Sequence, residues 1–135
     1  MGFTYYLDNK LLDLVFSNTS YTVPSTLYIG LSTTAPTQAG GNFKDKEPSG
    51  NGYARVAVTN NSTNWPAASN GAKSNANAIT FSQATGSWGT VTHFGIFDAA
   101  TSGNLLAWGA LSQSKAISAR DTPYFAAGSL TLNLS

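Results

Sequence analysis

The chain has 135 residues, of which seven are Lys or Arg, six Asp or Glu and none Cys, giving a net charge of +1. Charged residues make up 10% of it, against a usual share of about 25%, and its polarity comes from 16 Ser, 16 Thr, 12 Asn and 13 Gly. So weak a field excludes general nucleic-acid binding, the lack of Cys excludes disulfides, thiolate chemistry and sulfur-ligated metals, and 41% hydrophobic residues argue against disorder.

The first element in chain order is a helix over Tyr5 to Phe16. Leu7, Leu11, Leu14 and Val15 recur there at three- and four-residue spacing, while Asp8, Asn9 and Asp13 fall mostly on the other side, an amphipathic pattern. Thr4 is placed to cap the start, and Ser17-Asn18-Thr19-Ser20 ends the run with turn-favouring residues. A helix this short is marginal alone and must dock on something.

Everything after Pro24 reads as strand and turn. Thr26 to Ser32 alternates Leu27, Ile29 and Leu31 with Tyr28 and Gly30; Tyr53 to Thr59 sets Ala54, Val56 and Val58 opposite Tyr53, Arg55 and Ala57. Ile79 and Phe81 form a short strand, and Trp88 to Phe97 a longer one. Asn104 to Leu111 and Tyr124 to Leu134 complete the set, the last with Leu130, Leu132 and Leu134 on one face. Asp98 to Gly103 joins two of these runs as a hairpin loop.

Two stretches are poor in apolar residues. Residues 33–52 carry Gly40-Gly41 and the mixed-charge cluster Lys44-Asp45-Lys46-Glu47, and residues 60–77 carry Trp65-Pro66 among Asn, Ser and Ala. Loops this long are usually functional or mobile. No repeat of 20–50 residues is evident, which excludes a solenoid. The expected architecture is therefore mainly β. It is one antiparallel β-sandwich domain over residues 1–135, jelly-roll-like, with a short N-terminal α-helix in an arm of residues 1–20. No run of about 18 apolar residues predicts a membrane span, and no basic region followed by an apolar stretch predicts a secretory signal.

Catalytic chemistry finds little support. His93 is the only imidazole, set mid-strand beside Thr92 and Phe94 without evident partners, and reads as a hydrogen-bonded residue on a sheet face. No Gly-x-Ser-x-Gly elbow accompanies it. Of the six acids, Asp8 and Asp13 belong to the helix, Asp45 and Glu47 alternate with lysines in a loop, and Asp98 and Asp121 lie in turns. A paired-acid glycosidase site and a calcium site are both poorly supplied. Gly50-Asn51-Gly52 lacks the Lys-Ser/Thr of a phosphate cradle. No catalytic, metal or cofactor residue is predicted.

The aromatics remain. Trp88 and Trp108 fall within strand patterns and suit packing. Trp65, beside Pro66 in a polar loop, must find an apolar surface, its own or a neighbour's. Phe3, Tyr5 and Tyr6 pose the same question at the chain start. These five, Phe3, Tyr5, Tyr6, Trp65 and Pro66, are the candidate partner contacts.

The order of the segments carries a resemblance. YLDNKLLDLVF (6–16), TLYIGLSTTAPT (26–37), EPSGNGYARVAVTNNSTNWPAA (47–68), AITFSQATGSWGTVTHFGIFDAATSGNLLAWGAL (78–111) and FAAGSLTLNL (125–134) cover most of the chain. In that order the chain resembles small virion proteins of tailed bacteriophages, in a family often labelled phage tail fibre protein. One departure is Ala119-Arg120-Asp121, where a small turn residue such as Gly is expected before the Asp. The resemblance implies a structural virion protein without catalytic residues or cofactors. Such short chains resemble capsid decoration (cement) proteins, which often form trimers, more than complete fibres with repeats and long shafts.

The function expected from these readings is a head decoration protein, made in the bacterial cytoplasm and carried on the head surface of the phage particle. Its partners would be the major capsid protein and copies of itself, with no nucleic acid and no membrane. The alternative is a tail-associated receptor binder whose Trp65 stacks on host surface glycans. A carbohydrate-active enzyme is the least supported reading, because so few acids are present.

Overall fold

A computed structural model of the chain describes residues 2–41, 43 and 46–134. Five strands form the main antiparallel sheet: β1 (Gly2–Phe3), β2 (Thr26–Ser32), β3 (Val56–Thr59), β6 (Gly89–Phe97) and β7 (Leu105–Ile117), in the order β1-β7-β6-β2-β3. Two further ribbons pair β4 (Ala72–Ser74) with β9 (Thr131–Asn133) and β5 (Ile79–Thr80) with β8 (Tyr124–Phe125). Among the described residues one helix, α1 (Tyr5–Phe16), precedes β2.

Alternation along β2 and β6 decides the two faces of the main sheet. Ile29, Leu31, Phe94 and Ile96 point to one side, Val91 joins them across a register shift in β6, and Trp65, Ile79, Phe81, Trp88 and Leu130 complete the larger core. The ribbons close this side in a sandwich-like arrangement. Its aromatics meet mostly edge to face, as Tyr53 does on Trp88 at 5.2 Å and Phe94 on Phe125 at 5.7 Å between ring centres. On the opposite side a smaller cluster unites Phe43, Phe97 and Leu105 with Tyr28 and Trp108.

The second layer is two separate ribbons, and the described strands do not make the two continuous sheets of a jelly roll. The reason lies in residues 124–134, which read as one strand. Gly128 takes a positive φ of 77°, a conformation that interrupts extended chain. The turn drives Leu130 into the core and sends β8 and β9 to different partners. Buried Asn75 holds the break: its Nδ2 donates to Ala126 O at 3.0 Å and its Oδ1 accepts from Leu130 N at 3.0 Å.

The segment 33–52 is not a free loop. Glu47 turns inward and meets Arg55 at 2.7 Å, with only 11% and 3% of the two side chains exposed. Tyr53 donates its hydroxyl to Glu47 Oε2 at 2.5 Å while accepting from Leu31 N at 3.0 Å. That phenol serves a β2 amide beyond the end of β3, so β3 starts at Val56 although the pattern of alternation starts at Tyr53. Lys44 and Asp45 of the same charge cluster lie outside the described residues.

Burial first, then the Glu47 carboxylate, pushes the Tyr53 phenol far above its ordinary value of 10.0. The folded chain then keeps a proton that the unfolded chain releases. This contribution to stability is complete below about pH 10 and declines as the pH rises further, by about 1.4 kcal/mol per unit. Urea unfolding at rising alkaline pH should show this slope in the parent chain and a flatter one in Tyr53→Phe.

Candidate functional site

α1 forms where its pattern and cap predict. Thr4 is buried, its Oγ1 accepts from Leu7 N at 3.4 Å and donates to Leu105 O at 2.6 Å, and its own N–H donates to Leu106 O. One residue thus caps the helix and fastens it to β7. At the other end Asn18, at φ 50°, lets Ser17 N and Thr19 N both reach Asp13 O.

The helix carries more apolar surface than its own chain covers. With about 100° between successive residues, Leu14, Leu7, Leu11, Val15, Leu12, Tyr5 and Phe16 share one arc of roughly 200°, broken only by Asp8. An ordinary surface helix needs a stripe about half as wide. Leu7 and Leu11 are half-buried, but no residue of α1 is fully buried. Val15 is 66% and Phe16 79% exposed, and Tyr5 and Leu12 are also more than half exposed. The expected docking face is therefore only partly docked: Leu7 and Leu11 are sheltered, whereas Leu14 and Val15 stay open.

The chain spends its local cover on the other side of the helix. Lys10 Nζ lies over the rings of Tyr6 and Tyr21, 5.7 and 5.9 Å from their centres, cation–π contacts on the polar flank. Burial, with Tyr6 and Asp98 nearby, raises the Tyr21 phenol above its usual range. Val23, further along the same segment, is exposed.

The predicted contact residues are thus dispersed. Tyr5 stands on the open arc, Tyr6 lies half-buried beside Lys10, and Phe3 sits half-buried in β1 opposite Ala107. Trp65 is 3% exposed and belongs to the larger core, so the surface its ring finds is its own chain's. Adjacent Pro66 stays exposed, far less able to anchor a partner without that ring. Leu12 and Phe16, absent from the predicted stripe, complete the open face. The signal for them was in the sequence: Tyr5, Leu12 and Phe16 recur at seven and four residues, a second stripe beside the first.

The remaining candidates take structural positions. His93 is half-buried, with Nδ1 2.7 Å from Thr92 Oγ1 and its ring 6.0 Å from that of Trp108; burial lowers its pKa. Asp98 accepts from Asn104 N at 2.7 Å across the hairpin loop, and Asp121 from Ser118 N at 2.8 Å. Arg120 adopts φ 76°, the left-handed backbone for which a glycine was expected, and its N donates to Ala84 O at 2.7 Å. Among the described residues no three His, Asp or Glu side chains gather as a metal site, and no helix is long and apolar enough to cross a membrane.

No curated protein matches the sequence. The model of a protein family, described as Podophage GP4 fiber I protein gp80, matches residues 2–133, almost the whole chain. On the extent of that match the chain belongs to this family of phage virion fibre proteins.

Proposed function

We propose that the chain is a short fibre-type structural subunit of a tailed-phage particle, assembled by burial of the open face of α1 against a neighbouring copy. The observation that carries this reading is the uncovered arc of α1, with Leu12, Val15 and Phe16 exposed on one chain. Fully burying three such side chains contributes about 1.5–3 kcal/mol each. Repetition around a symmetry axis multiplies contacts that are modest singly, and a trimer is the proposed order. The family description, which names a phage fibre protein, supports a structural protein of the phage particle.

Head decoration is the second reading, with the major capsid protein as partner. The absence of internal repeats among these residues favours it, since long fibres are built from such units.

Val15→Asp with Phe16→Ser alters two exposed positions, so folding should be untouched. Light scattering after gel filtration should show an oligomer for the parent chain and a monomer for the double variant, with equal thermal midpoints. A monomeric parent chain at high concentration, or a variant that still assembles, would overturn the assembly mode. Cryo-EM of particles separates the locations: density confined to the tail supports the fibre reading, and density on the head surface replaces it with decoration.

A further inference from the structure

The cleft between β7 and β8 is formed by an irregularity in the main sheet. His93 pairs with Ala110, but Val91 pairs with Lys115, so β7 carries three more residues than β6 across this stretch. Leu111 stays half-buried while Ser112, Gln113 and Ser114 swing out into solvent. Excursions of this kind sacrifice ladder hydrogen bonds and re-aim side chains, and they recur beside binding sites.

Opposite the excursion stands β8 with the turn that precedes it. Tyr124 is 65% exposed, a large ring left on the surface of a two-residue strand. Between the two walls lies a cleft of about 600 Å³, within the range of roughly 300–1,000 Å³ typical of small-ligand sites. Its lining includes Gln113, Lys115, Asp121 and Tyr124, with Phe94 and Phe125 among its apolar members. Asp121 Oδ2 is occupied by Ser118 N. Its Oδ1, the Gln113 amide, the Lys115 amine and the Tyr124 hydroxyl have no partner among the described residues.

The chemistry of the lining selects among ligands. One cation and one carboxylate in the same cleft cancel, which disfavours a phosphate or another anion. A wholly apolar ligand would strip water from the amide, carboxylate and amine and return no hydrogen bonds. A neutral sugar matches both parts: its hydroxyls donate and accept, and its C–H face lies flat on an aromatic ring.

We propose that this cleft binds a neutral glycan. Tyr124 stacks on a sugar ring, Asp121 Oδ1 accepts from sugar hydroxyls, and Gln113 and Lys115 donate to sugar oxygens. The site is separate from α1 and does not depend on the assembly mode.

The test is an array of immobilised neutral and sulfated oligosaccharides, followed by calorimetric titration with the neutral glycan bound best. Tyr124 and Gln113 are exposed, so Tyr124→Ala and Gln113→Ala should keep the parent thermal midpoint. Each should weaken binding roughly tenfold or more, while Phe16→Ser leaves the affinity per site unchanged. No binding to any neutral glycan, binding confined to sulfated ones, or full affinity in both cleft variants would overturn the proposal.

Discussion

Arg55→Met should destabilise the chain by about 3–5 kcal/mol, because it strands the buried carboxylate of Glu47 without its cation. The guanidinium also holds more than Glu47. Its Nε and Nη2 donate to the two Glu47 oxygens at 2.9 and 2.7 Å, and its Nη1 donates to Ala99 O and Ser102 O at 2.8 and 2.9 Å. Its flat face lies 3.4 Å from the centre of the Phe97 ring. One side chain thus ties the segment 33–52 and the β6–β7 hairpin loop to the edge of the sheet. A lysine cannot reproduce this planar fork, so Arg55→Lys should lose much of the same stability.

The double variant Glu47→Leu, Arg55→Met should be more stable than Arg55→Met alone, since it removes the stranded charge. Urea midpoints measure the energies, and hydrogen exchange locates the damage. Amides of residues 46–52 and 98–103 should lose protection first, with those at the centre of β2 and β6 retained. A loss below about 1 kcal/mol would place this pair with exposed ion pairs and contradict its burial.

Features set by neighbours in sequence were legible. The Thr4 cap, the helix from Tyr5 to Phe16 and the full span of β2 follow from local hydrogen bonding and periodicity. Features that depend on distant partners were not. Ala72-Lys73-Ser74 has no alternation and becomes a strand only because β9 pairs with it. Glu47 among lysines reads as a solvated charge until Arg55 and Gly30 are seen to enclose it. The interaction face of α1 was half legible: its apolar periodicity was plain, but which part β1 and β7 would cover depends on how far they extend under it. The cleft was illegible, because an excursion in β7 is a mismatch of length against β6, a property of neither strand alone.

Gly95→Ala should cost about 1–3 kcal/mol, the penalty of overpacking, although one methyl group is all it adds. Gly95 in β6 stands directly opposite Gly30 in β2, and the pair leaves the sheet bare where the segment 33–52 crosses it. A Cβ on Gly95 would lie 2.7 Å from Leu105 Cδ1 and 2.8 Å from two atoms of the Phe43 ring. Phe43 is fully buried and meets Phe97 edge to face at 5.1 Å, so it has no free volume to retreat into. A Cβ on Gly30 would come 2.8 Å from Glu47 Oε2. The two glycines therefore seat the two anchors of one segment, the ring and the carboxylate. Strand interiors otherwise disfavour glycine, which orders at a larger entropic cost than alanine. Once Phe43 is shortened by Phe43→Ala, which also opens space for Leu105 to shift, the same Gly95→Ala change should lose part of its penalty. A double-mutant cycle on urea midpoints measures that coupling, expected at roughly 1 kcal/mol or more for groups in contact. Equal costs in both backgrounds would mean that Gly95 is required by Leu105 or by the strand itself, and not by the ring that rests on it.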